Sequence, residues 1–88
     1  MPFTSEHLDE LNLLALFNLS STQEGIKVHQ QSATPEAVAA AERLFHKGLV
    51  TQKDGGYLTS LGIESAEHAQ RLEAILSNQP AKATTGLG

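Results

Sequence analysis

Four histidines, His7, His29, His46 and His68, are the side chains whose type suits metal binding or proton transfer. Glu64 and His68 stand four residues apart, a spacing that brings two ligands to one helix face. The same spacing also gives an ordinary surface contact, worth a few tenths of a kcal/mol. None of the four histidines sits at the spacing of a recognised ligand pair, so no metal or other cofactor is expected. Serine, histidine and aspartate all occur, but there is no nucleophile elbow, P-loop or dinucleotide-binding glycine pattern. Gly55-Gly56 is explained by a hairpin turn. The absence of cysteine excludes disulfides, thiolate zinc sites and cysteine nucleophiles. Nothing here predicts an enzyme.

The elements that would position any site come from a chain of 88 residues, a length for one core. A domain of this size buries only roughly 60–65% of the surface its unfolded chain exposes, so its stability is modest or shared with a partner. Leucine and alanine supply most of the apolar side chains, which favours helices. No apolar run approaches the ~20 residues a membrane helix needs. Glu6, Asp9 and Glu10 stand where a signal peptide would be basic, so the expected setting is the cytoplasm, away from membranes. The net charge of −4 argues against nucleic acid. Its distribution is uneven. The first helical stretch is acidic without a base, whereas residues 35–62 balance Glu36, Glu42 and Asp54 against Arg43, Lys47 and Lys53.

Thr4 or Ser5 can cap a first helix running to about Phe17, with Glu6 in its first turn. Leu8, Leu11 and Ala15 share one face, while Leu13-Leu14-Ala15-Leu16-Phe17 is apolar nearly all round. Such a belt marks either a subunit interface or a stretch that a later helix covers. Residues 18–34 read as a short helical turn in preference to a strand, although Ile26 and Val28 alternate. The clearest helix spans 35–47, with Thr34 as N-cap, Pro35 at the first position and Gly48 ending it. Its apolar stripe is Val38, Ala41, Leu44 and Phe45. Strands at 49–51 and 57–59 flank a turn at Asp54-Gly55. Thr59 or Ser60 opens a last helix to about Ser77, whose apolar side carries Leu61, Ala66, Ala69, Leu72, Ile75 and Leu76. The fold class is mainly α with a β-hairpin, in the order helix, short element, helix, hairpin, helix. One domain covers 1–77, and 78–88 reads as a disordered tail.

Leu44-Phe45-His46-Lys47-Gly48-Leu49-Val50 followed by Gly56-Tyr57-Leu58-Thr59-Ser60-Leu61-Gly62 resembles the winged helix-turn-helix fold of bacterial regulators of the MarR and PadR kind. The likeness covers 34–75 and departs at 20–33, where that fold would carry a full helix. To about residue 76 the chain also resembles a family of short bacterial proteins of unassigned function.

The resemblance implies that residues 35–47 form a recognition helix for double-stranded DNA and that the chain is a small transcriptional regulator. At ~100° per residue its outward set is Glu36, Ala39, Ala40, Arg43, His46 and Lys47. Arg43 would grip guanine, Lys47 and His46 would meet phosphate, Glu36 would accept from cytosine, and the two alanines would allow close approach. Lys53 at the wing tip would add one phosphate contact. The competing expectation is that Arg43, His46 and Lys47 merely complement the helix dipole. A homodimer would pair the interface residues Leu13, Leu16, Phe17, Leu72, Ile75 and Leu76 and double the cations offered to DNA. The alternative function is a protein–protein interaction module on the same fold, binding an unknown protein partner instead of DNA.

Overall fold

The computed structural model describes residues 2–21 and 24–78. In chain order these form α1 (Ser5–Leu14), β1 (Ile26–Lys27), α2 (Pro35–His46), β2 (Val50–Gln52), β3 (Gly55–Leu58) and α3 (Ser60–Asn78). The fold is three helices with one small antiparallel sheet of strand order β1-β3-β2. Of the tail expected over 78–88, Asn78 instead ends α3, and residues 79–88 lie outside the described residues.

Local signals set the helix ends. Thr4 Oγ1 accepts from the His7 N–H at 3.1 Å while His7 Nδ1 accepts from the Thr4 N–H at 3.2 Å, a reciprocal cap that starts α1. Thr34 Oγ1 accepts from the Ala37 N–H at 3.1 Å, with Pro35 next in line, and starts α2. At the other end of α2 the Gly48 N–H donates to Phe45 O at 3.0 Å and the Leu49 N–H to Leu44 O at 2.9 Å. This is a Schellman closure, and it requires the φ of 81° that Gly48 supplies. Thr59 links two elements. Its Oγ1 accepts from the Gly62 N–H at 3.0 Å, opening α3, and donates to Gly48 O at 2.6 Å. A Cβ at Gly62 would collide with the Leu49 carbonyl oxygen, so α3 leaves the sheet at a distance only glycine allows.

Three sequence expectations are corrected. First, α1 stops at Leu14 and not near Phe17; residues 15–17 continue as turns, with the Leu16 and Phe17 amides donating to Leu13 O and Leu14 O. Second, the segment 18–34 contains a strand in place of the expected helical turn. Ile26 and Lys27 pair with Gly56 and Gly55 of β3, and the Val28 N–H donates to Asp54 O at 2.8 Å. Contact with the hairpin satisfies the backbone groups of residues 26–28, and the alternation of Ile26 and Val28 is the local sign of it. A single turn closed by Ala33 N–H to His29 O occupies the place before α2. Third, the hairpin turns at Lys53-Asp54, one residue earlier than expected, because Gln52 pairs with Gly55. The positive φ values fall on Gly55 and Gly56 and not on the turn residues, so the extra residue is absorbed as a bulge in β3.

The core gathers Leu13, Leu14 and Phe17 from the first segment, Val28, then Ala40, Ala41 and Leu44 of α2, Val50 of β2, and Ala66 and Ala69 of α3. α1 packs against both α2 and α3, which covers the apolar belt of 13–17 on most sides. Leu13 and Phe17 are therefore core residues, not the subunit interface expected of them; of the belt, Leu16 alone stands open, 66% exposed.

Candidate interaction surfaces

Burying α1 against α2 brings a carboxylate into the interior. Glu10 lies one helical turn before Leu13 and Leu14 and is as buried as they are, 6% exposed. A charge in that place needs partners, and α2 with its C-cap residue supplies two. Arg43 Nε donates to Glu10 Oε2 and Lys47 Nζ to Glu10 Oε1, both at 2.6 Å. A further Arg43 nitrogen donates to Glu6 O at 3.2 Å. Burial by itself raises the Glu10 carboxyl, but the hydrogen bonds from Lys47 and Arg43 outweigh it and hold the group below its usual range. Arg43 is correspondingly pushed up, chiefly by its hydrogen bond to Glu10.

This arrangement redraws the outer face of α2. Ala40, expected outward, is fully buried, because α2 is covered on two flanks and its buried arc is wider than one stripe. Arg43 lies half-buried against α1, and Lys47, although exposed, is bonded to the same carboxylate. What remains turned to solvent is Glu36, Ala39, Glu42 and His46. Glu36, Ala39 and His46 keep their expected outward places, and Glu42 joins them. At the hairpin, Lys53 is exposed, and Lys27 Nζ reaches Asp54 at 3.4 Å. Among the described residues, no group of three or more histidine, aspartate or glutamate side chains converges as metal ligands. No helix there is long and apolar enough to cross a membrane.

A different surface opens between α1 and α3. Leu8, Leu11 and Ala15 face Ala69, Leu72 and Leu76 across a shallow groove with Asn12, Glu73 and Ser77 at its margin. A second depression shares Asn12, Ala15 and Glu73 with the first and continues over Leu13, Leu16 and Ala37, between Asp9 and Glu36. Of the interface residues named from sequence, Leu72 and Leu76 line the first depression, and Leu13 and Leu16 the second. Ile75 is part-exposed on the same helix, and Phe17 is buried.

Two residues that position these elements went unrecognised in the sequence. Glu10 lies in line with the buried stripe of α1, and a carboxylate on such a stripe is itself a signal that a base must meet it. Gln70 gave no comparable signal. Its Nε2 donates to Leu14 O at 3.2 Å and Phe17 O at 2.7 Å, closing the end of α1 with a side chain from α3.

A family model, that of DUF5669, a family of unknown function, matches residues 1–77. The chain belongs to this family. No curated protein and no solved structure matches it. The DUF5669 match takes in α1, α2, the whole sheet and all but the last residue of α3, so Glu10, Arg43, Lys47 and both halves of the groove fall inside it.

Proposed function

We propose that this DUF5669 chain is a small cytoplasmic protein-interaction module that receives its partner in the groove between α1 and α3. The observation that carries this reading is the row of leucines left open there. Leu8, Leu72 and Leu76 remain 52%, 39% and 70% exposed although they adjoin the core. Contiguous exposed apolar surface with a polar margin is the usual mark of a protein contact.

DNA binding by a winged-helix regulator is the second reading, and the strand order β1-β3-β2 behind α2, with Lys53 at the hairpin tip, speaks for it. Against it stands the chemistry of α2. Arg43 and Lys47 are engaged with Glu10, and Glu36 and Glu42 would meet phosphate with the wrong sign.

Photo-crosslinking in the native cell separates the two. A crosslinker replacing Leu72 is expected to give a discrete protein adduct, and one replacing Ala39 on α2 none. A nucleic-acid adduct at position 39, with none at position 72, would overturn the proposal.

A further inference from the structure

Resting on that reading, we infer that the groove between α1 and α3 takes a basic amphipathic helix. Helices lie in apolar grooves through residues spaced i, i+3, i+4 and i+7, and the floor here, Leu8, Leu11, Ala15, Leu72 and Leu76, offers that kind of surface. The sign of the partner comes from the margin. Asp9, Glu36 and Glu73 stand along the two joined depressions, and among the described residues no lysine or arginine lines either. Glu73 is held by a hydrogen bond from Ser77 Oγ at 2.8 Å.

The same margin disfavours other occupants. A second copy would bring three like carboxylates against these three, on chains that each carry a net charge of −4. An anionic membrane or nucleic acid meets the same repulsion. A helix with leucines on one face and lysines or arginines flanking them satisfies both the floor and the margin. α1, at 10 residues, is about 15 Å long, so three to four turns of partner helix cover it.

The test uses the full chain and two fluorescent peptides of about 16 residues, identical in their leucine stripe and flanked by lysine in one and glutamate in the other. Anisotropy titrations at ~50 mM and ~200 mM salt should show the lysine peptide binding at least ~10-fold more tightly, with the preference weakening at the higher salt. The triple variant Asp9→Lys, Glu36→Lys, Glu73→Lys, which leaves the buried core untouched, should reverse the preference. Leu72→Asp should weaken both peptides. Equal binding of the two peptides, or binding of neither, overturns the inference. So does a dimer in sedimentation that Leu72→Asp dissociates, because a second copy then fills the groove. Failure here alongside a protein adduct at position 72 condemns the partner's chemistry alone; loss of that adduct condemns the interaction reading itself.

Discussion

Glu10 on α1 and Arg43 on α2, 33 residues apart in the chain, meet at 2.6 Å inside the fold. The contact fixes which way α2 faces. A helix whose bases bind a buried carboxylate cannot offer those bases elsewhere without leaving that carboxylate unpaired.

Removing a partner from Glu10 should therefore cost stability. Arg43→Ala is expected to lower the unfolding free energy by about 2–3 kcal/mol. Lys47→Ala should cost less, about 1 kcal/mol or below, because 47% of its side chain is in solvent. Urea unfolding of Glu10→Gln, Arg43→Ala and the double variant should give losses well short of additive. Strict additivity would show that the two groups do not act together.

The depressed Glu10 carboxyl gives the pair a pH signature. Its ordinary value is 4.5 and its folded value is lower. The stabilisation is thus complete above about pH 4.5 and is lost as the pH falls through the folded value. Between pH 7 and 3 the wild type should lose more stability than Glu10→Gln, read from urea midpoints. Parallel curves would assign the acid sensitivity to other carboxylates.

The join between hairpin and α3 should tolerate little. Gly62→Ala drives a methyl into the Leu49 carbonyl and is expected to cost about 3 kcal/mol or more, enough to unfold much of so small a domain. Thr59→Val removes both the α3 cap and the bond to Gly48 O, for about 1–2 kcal/mol. Thermal unfolding reports both, and a Gly62→Ala protein as stable as wild type would mean that the helix can shift freely here.

Mixed-sequence duplex DNA provides the fourth check. At ~50 mM salt the wild type is expected to show no salt-sensitive anisotropy change, and Glu36→Lys/Glu42→Lys to acquire one. Wild-type binding that disappears in Lys53→Ala would restore the DNA reading.

Elements whose determinants lie within a few residues of each other were legible in the sequence. Thr34, Pro35 and Gly48 mark α2 at both ends without outside help, and the actual helix, Pro35–His46, differs from the expected one by a single residue. The start of α3 read equally well, and the hairpin read with looser bounds, β2 lying one residue later than the expected 49–51 and β3 beginning two residues before the expected 57–59. β1 did not, since a strand of two residues exists only through its pairing with β3. The same division runs through the site. Leu72 and Leu76 carried an apolar pattern that named them, but their exposure followed from where α1 ends and how α3 crosses it.

By itself, then, the sequence determined the helices, their caps and the hairpin, because capping, turn geometry and apolar spacing are short-range effects. Tertiary structure alone decided that Glu10 is buried, that Arg43 and Lys47 turn to it, that Ala40 lies inside and that the leucines of α1 and α3 stay open. Each of these depends on which helix covers which flank. The cost of leaving a buried charge unpaired then selects the one orientation of α2 that satisfies it.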